Sequence, residues 1–268
     1  MKIVTLVKYV PDATGDRGFA EDGTVDREAA DGLLSELDEY AVEQALRIAD
    51  DQDAGEIEVV ALTLGPDDAA DAIKRALQMG ATAGVHINDE TVHGSDALAT
   101  SAILAAAISK LQPDLVVAGM ASTDGTMGVV PTMISERLGW PAATLGATLS
   151  VDAGDRGTAT IRRDGDTSSQ TVEVTLPAIV SVTDQSGEPR YPSMKGILAA
   201  KKKPVDEWEL DDLDLEPEVL GSVGLADAWS TVKATTARPP KEAGRQVTDE
   251  DGSGAAALTD FLVSGKYI

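Results

Sequence analysis

The segment Gly119–Gly128, GMASTDGTMG, is the part of the chain best suited to hold a ligand. It carries three glycines, follows an apolar run (Leu115–Ala118) and precedes a helical stretch (Pro131–Leu138). The backbone N–H groups of such a loop, with the positive end of a helix behind them, can hold a phosphate. A Gly-rich turn with no ligand would read the same way, so the letters leave both open. Bond-making chemistry has less support. No GxxxxGK[ST] loop occurs, and no GxGxxG follows the first apolar run. Ser122 and Asp124 have no histidine near them in sequence, and a serine nucleophile needs a positioned base. His86 falls in a strand-like run and His93 in an Asp-flanked loop, places that suit structural roles. Cysteine is absent, which excludes disulfides, thiolate catalysis and Cys-ligated metals. With two histidines, a His-rich metal site is a poor reading. These residues point to binding.

The elements that must position that loop can be read from periodicity. Lys2–Val7, Glu56–Leu64, Thr82–Ile87 and Leu115–Ala118 are short apolar or β-branched runs, expected to be strands. Between them, Leu37–Ala49 shows helical spacing, with Leu37, Ala41, Ala45 and Ile48 on one face. Asp67 and Asp68 suit the start of a helix through Met79, and Ser95 or Asp96 can cap one reaching Lys110. This alternation predicts a parallel sheet covered on both faces, of the Rossmann-like α/β class. In such a sheet ligands bind at the carboxyl ends of the strands, where the strand order reverses. Lys8–Asp12 and Gly65–Pro66 would then line the site together with Gly119–Gly128. Pro11–Asp31 is a long polar loop, and loops of that length are usually functional. After Trp140, Thr144–Val151, Thr158–Arg163, Thr171–Leu176 and Ala178–Thr183 read as strands of a small antiparallel extension. Met194–Lys203 reads as a short helix with a basic end. From Pro204 the chain is acidic and rich in Pro, Gly and Thr, expected to bury little. Within it, Leu258, Phe261 and Leu262 stand at helical spacing, as in a small docking helix. The expected division is a body, 1–203, and an extended C-terminal arm, 204–268.

Charge narrows the partners. The 268 residues carry 22 Lys and Arg against 46 Asp and Glu, a formal charge of −24. Such a surface repels nucleic acid and anionic lipid. Aromatics make up 3%, too few for a base-stacking platform. The acids are spread along the whole chain, which suits a halophilic cytoplasm, where salt screens self-repulsion; an acidic patch for a cationic partner is the other reading. No apolar run is long enough to span a bilayer, and the first residues read as a strand and not as a signal peptide, so a cytoplasmic location without membrane insertion is expected. Lys201, Lys202 and Lys203 are the strong basic cluster, suited to steering toward acidic partners or to closing a helix.

Four stretches, in order, resemble the electron transfer flavoprotein β subunit over roughly residues 1–205. VKYVPD (Val7–Asp12) is similar to the family's opening VKxVPD. LDEYAVEQA (Leu37–Ala45) is similar to its F-D-x-x-A-[LV]-E-x-A helix. GMASTDG (Gly119–Gly125) with ERLGWP (Glu136–Pro141) is similar to its G-x-x-[SA]-x-D-G and LGWP segment. EPRYPSMKGILAAKKKP (Glu188–Pro204) resembles its signature NEPRYxxLPxIMxAKKKP and is the strongest of the four.

The resemblance implies a heterodimer with an α subunit that holds the redox FAD mainly in its own second domain. It implies electron transfer from dehydrogenases, of the acyl-CoA type or others, toward a quinone-reducing oxidoreductase and the respiratory chain, without catalytic residues in this chain. Ordinary members bury an AMP in β; bifurcating members hold a second FAD there. Carried over by motif, that nucleotide site comprises Leu6, Ser35, Leu64, Gly119, Ser122 and Gly125, with Thr126, Gly128, Val129 and Val130 on the phosphate side. The chain departs from the pattern at Met127 and Val129, where side-chain phosphate donors are lost, and at Ser35 and Glu36, where the family has Asn-Pro. AMP, a second FAD and an empty site therefore all stay open. Pro189, Arg190, Tyr191 and Met194 would form the recognition loop for dehydrogenases. Met194 replaces the usual Leu as apolar anchor, and methionine adapts to many pockets; packing of Met194 within the helix is the competing reading. The C-terminal arm would dock on α.

Overall fold

The computed structural model describes residues 1–51, 56–154, 157–236, 239, 244, 246–249 and 252–268. Residues 237–238, 240–243, 245 and 250–251 of the expected arm lie outside the described residues. The described chain forms two compact units, Met1–Ala234 and Thr235–Ile268.

In chain order the first unit contains β1 (Lys2–Leu6), β2 (Tyr9–Pro11), β3 (Gly32–Leu34), α1 (Glu36–Asp50), β4 (Glu58–Leu64), α2 (Ala70–Met79) and β5 (Ala83–Ile87). There follow α3 (Ala97–Leu111), β6 (Leu115–Gly119), α4 (Val130–Leu138), β7 (Ala142–Gly146), β8 (Thr148–Asp152), β9 (Thr158–Asp164), β10 (Ser169–Thr175) and β11 (Ala178–Val182). The unit ends with α5 (Met194–Ala200), β12 (Val205–Trp208) and the single turn α6 (Pro217–Leu220). Seven strands form one sheet in the order β12-β5-β4-β1-β6-β11-β7, and every described pairing in it is parallel. The chain runs outward from β1 through β4 to β5, then returns by α3 to place β6 on the other side of β1. The switch point therefore lies between β1 and β6, and the expected Rossmann-like α/β fold is present.

Each face of the sheet has its own core, because parallel strands bury both faces. Ile3, Val59, Val117 and Val180 pack with Ala41, Val42 and Leu46 of α1 and Ile73 and Leu77 of α2. Val4, Val60, Val116 and Ile179 pack with Ile103 and Ile108 of α3 and Ile134 of α4. The buried residues of α1 are Asp38, Ala41, Val42, Glu43, Gln44, Ala45 and Leu46, a face broader than the expected one and rotated by about one position from it. Helix ends follow local chemistry. Asp96 caps α3 by accepting from the N–H groups of Leu98 (2.9 Å) and Ala99 (3.1 Å). Pro131 sits in the first turn of α4, and Gly139 ends it at φ 64°.

Two expectations are corrected. Ala178–Thr183 and the start of Thr144–Val151 are not part of an antiparallel extension: β11 lies inside the parallel sheet between β6 and β7. Its AIVSV is buried at every position, the mark of a strand covered on both faces. The antiparallel extension is the separate sheet β8-β9-β10, whose alternating β9 turns Ala159 and Ile161 into the α1-side core. Nor does the folded body end at Lys203. β12 pairs with β5 from Val205↔Gly84 to Trp208↔Ile87. Leu210, Leu213 and Val223 then bury into the α3-side core, and Lys110 Nζ lies 4.1 Å from the centre of the Trp208 ring. Asp206 and Glu207 suit an edge strand, where charge discourages pairing with other chains, and that charge made the strand read as tail.

The second unit carries α7 (Ser253–Ser264), in which Leu258, Phe261 and Val263 are exposed. Among the described residues no helix is long and apolar enough to cross a membrane.

Candidate functional site

The carboxyl ends of β1, β4 and β6 meet at the switch point, and the residues expected to bind a nucleotide gather there. Leu6 and Leu64 end β1 and β4, and Gly119 ends β6. Ser35 stands buried before α1, where its Oγ accepts from the N–H of Thr123 (3.3 Å) and its own N–H donates to the Lys8 carbonyl (2.8 Å). The loop from Ser122 to Val129 turns on itself: Thr126 N–H donates to the Ser122 carbonyl (3.1 Å). Thr126 (φ 53°) and Gly128 (φ 65°) both take left-handed backbone. A Cβ on Gly128 would also lie 3.0 Å from the Met120 carbonyl, so the turn needs glycine there. Val129 and Val130 begin α4, with Val129 as its cap. Among the described residues no acceptor is bonded to the N–H groups of Met127, Gly128 or Val129.

A charged network under this loop was not read from the sequence. Lys8 Nζ pairs with Asp124 Oδ1 at 2.9 Å and reaches Ser122 Oγ at 3.5 Å. Arg27 approaches the other Asp124 oxygen at 3.4 Å. Burial would raise the pKa of Asp124, but the charge of Lys8 and the Ser122 hydroxyl outweigh it and hold the carboxyl at about 2. Arg17 donates to the carbonyls of Pro11 (2.6 Å), Asp12 (3.0 Å) and Thr123 (2.6 Å), tying the β2–β3 loop to the Gly-rich loop. Asp38, buried, accepts from the N–H of Lys8 (3.0 Å), and its Oδ1 stands against the backbone of Gly119. Desolvation pushes its pKa up to about 7, against those backbone contacts and the charge of Lys8. A Cβ on Gly119 would stand 2.5 Å from Asp38 Oδ1 and 2.7 Å from the Leu37 carbonyl, so this glycine permits the approach. The one available signal for Asp38 was helical arithmetic: it is three residues before Ala41 and so shares the inward face.

The segment expected to meet dehydrogenases is built differently from a free loop. Glu43 of α1 is buried and accepts from Arg190 N–H (3.0 Å), Arg190 Nε (2.7 Å) and Arg47 Nε (2.7 Å). Burial would raise its pKa; the bonds from Arg190 and Arg47 outweigh that and hold it below the usual carboxylate range. Arg190 also meets Asp50 at 2.9 Å, and Arg47 donates to the Glu188 carbonyl at 3.1 Å. Arg190 is thus turned into the body and fixes the segment. Tyr191 and Met194 are 90% and 75% exposed, which removes the reading of Met194 as internal packing. Leu198, one turn after Met194, is exposed too, so the apolar surface continues along α5. Ser193 caps α5 through the N–H of Gly196 (3.0 Å), and Gly196 lets the helix approach the Gln78 carbonyl of α2. Of the three lysines, Lys203 turns inward to the Leu77 carbonyl (2.9 Å), and its burial lowers its pKa. His86 is a core link to the Gly65 carbonyl (3.0 Å), and His93 pairs with Asp22 at the surface (2.9 Å).

Fold and edge together define a class: a doubly wound α/β protein with a Gly-rich loop at its switch point. The electron transfer flavoprotein domain model matches residues 22–213. The chain is 45% identical to the electron transfer flavoprotein subunit beta of Mycobacterium tuberculosis (strain H37Rv) over 99% of both chains. It is 33% identical to that of Clostridium acetobutylicum over the full length of both. It is also 32% identical to the caffeyl-CoA reductase-Etf complex subunit CarD of Acetobacterium woodii over 92% of each. The chain belongs to the electron transfer flavoprotein family, and within it to the β subunits. Such a subunit works beside an α subunit and a flavin as an electron carrier and not as a catalyst.

Proposed function

We propose that the chain pairs with an α subunit that holds the redox FAD, docks dehydrogenases through Tyr191, Met194 and Leu198, and holds an AMP at its own switch point. The observation that carries the nucleotide reading is the Ser122–Val129 turn. Its left-handed residues and unbonded N–H groups directly precede the start of α4, an arrangement that suits a phosphate even without the side-chain donors missing at Met127 and Val129. Thr126 and the backbone of Met127, Gly128 and Val129 would hold the phosphate, with Leu6, Ser35, Leu64, Gly119, Ser122, Gly125 and Val130 completing the site. The FAD, when bound by the partner subunit, supplies the electron-carrying chemistry. This chain's residues dock and orient: Pro189 and Arg190 set the course of the recognition segment, and Met194 provides an adaptable anchor. Of the C-terminal residues 204–268, those after Ala234 supply the arm that grips α, with Leu258, Phe261 and Leu262 on it. Dehydrogenases, of the acyl-CoA type or others, load the carrier; a quinone-reducing oxidoreductase unloads it. The setting is a cytoplasm, and the even spread of acid suits a salt-rich one.

The test is co-purification with the α subunit followed by mass spectrometry of the released nucleotides. One FAD and one AMP per heterodimer is the expected result. Two FAD and no AMP would replace the carrier reading with a bifurcating one, and FAD alone would leave the switch point without a nucleotide.

A further inference from the structure

We propose that Asp38 is the positioning residue of the switch-point site: its enclosed carboxylate ties the backbone of Lys8 to that of Gly119 and so sets the Gly-rich loop against β1. This rests on the reading of that edge as a nucleotide site.

The geometry is specific. β1 and β6 are paired in the sheet from Ile3↔Leu115 to Thr5↔Val117, and the described ladder stops there. Beyond it, at the carboxyl ends where a ligand would sit, Asp38 takes the place of the missing ladder, with its Oδ2 on the Lys8 N–H and its Oδ1 against Gly119. The first turn of α1 adds a second tie, since Ser35 Oγ accepts from Thr123 inside the Gly-rich loop. A buried acid in this position is an expensive choice, because its neutralising partners are backbone dipoles and not a paired cation. Lys8 Nζ, whose charge acts on Asp38, is engaged with Asp124. The charged groups around Asp38 are Lys8 from the link between β1 and β2 and Asp124 from the Gly-rich loop, the latter also met by Arg27 from the β2–β3 loop. An apolar residue would fill the volume at less cost, so what the carboxylate adds is two strong acceptors at one point.

Asp38→Asn tests this. Asn has one acceptor and places an NH2 against either the Lys8 N–H or the Gly119 backbone. One tie is lost while the volume is kept. The αβ heterodimers, wild type and variant, are stripped of nucleotide and titrated with AMP by calorimetry, and amide exchange across 119–129 is followed by mass spectrometry. The variant should bind AMP about tenfold more weakly, the size of one misplaced buried hydrogen bond, and exchange faster across the loop. Its FAD content and thermal midpoint should not fall. Asp38→Ala, which removes both acceptors and introduces no misplaced donor, is the second variant; it should weaken AMP binding and speed loop exchange at least as much, with FAD content kept. Unchanged AMP affinity and loop exchange in either variant would overturn the proposal. So would loss of heterodimer, FAD and thermal midpoint together in both, since Asp38 would then be a general core residue. If the wild type itself binds no AMP, the nucleotide reading falls, and loop exchange alone decides the role of Asp38.

Discussion

Replacing Arg190 with alanine should lower both the stability of the heterodimer and its reduction by dehydrogenase, whereas replacing Met194 should lower the second alone. Arg190 is about a third exposed and forms three bonds to the buried Glu43 carboxylate and one to Asp50. Its removal takes the guanidinium from Glu43 and Asp50 and leaves residues 188–193 tied to α1 by the residue-190 N–H on Glu43 and by Arg47 on the Glu188 carbonyl. Breaking a buried pair by deleting one partner costs about 3–5 kcal/mol. Here Glu43 retains Arg47, and solvent reaches Arg190, so the expected cost is about 2–3 kcal/mol. For a unit of this size that corresponds to a fall of roughly 5–10 °C in thermal midpoint. The loosened segment would have to be ordered again at each encounter, which should raise KM for the dehydrogenase about tenfold with flavin content unchanged. Met194 is 75% exposed, so Met194→Ala removes an anchor and little internal packing. The same rise in KM is expected, with the thermal midpoint within about 1 °C, as for surface substitutions generally. A variant pair in which Met194→Ala destabilises, or Arg190→Ala does not, would contradict this division between anchor and support.

That division shows where the sequence was legible. The EPRY motif marked the segment, and periodicity placed α5, but neither said that the arginine points inward. The reason is that Glu43 lies 147 residues earlier, on the face of α1 toward the segment, and a pairing across that distance leaves no local pattern. The switch point was readable because it depends on element order: β-α alternation puts the Lys8 and Gly119 loops side by side. The strands that local pattern misassigned were those whose character comes from neighbours. β11 was grouped with the antiparallel strands beside it in sequence, and β12 was hidden by the acids that suit a sheet edge. Asp38, marked only by its spacing to Ala41, was passed over for a further reason. An acid in the first turn of a helix is normally a solvated complement to the helix dipole. Only the tertiary approach of Gly119 turns this one into a buried acceptor.

A buried acceptor of that kind should leave a signature in the dependence of stability on pH. Asp38 has a folded-state pKa raised to about 7, so the folded state binds a proton there that the unfolded chain has released above about 3.9. Its contribution is fully favourable below that value and is lost as pH rises through 7. Asp124 acts in the other direction. Its folded pKa is held at about 2, so its stabilisation is present above about 3.9 and lost as pH falls toward 2. Between pH 4.5 and 7.5 the Asp38 effect should remain, amounting to roughly 3 kcal/mol of lost stability. Repulsion among the exposed acids has the same sign over part of this range, but in about 1 M salt the screening length is about 3 Å and that contribution fades. Urea unfolding of wild-type and Asp38→Asn heterodimers in such salt separates the two. The wild type should lose stability relative to the variant as pH rises, because α-subunit titrations cancel in the difference. A difference that stays constant across this range would mean that Asp38 keeps one protonation state throughout. If the loss is found, the carboxylate is kept despite its cost at neutral pH. That is the expected balance when a group fixes a binding loop and does not serve the stability of the core.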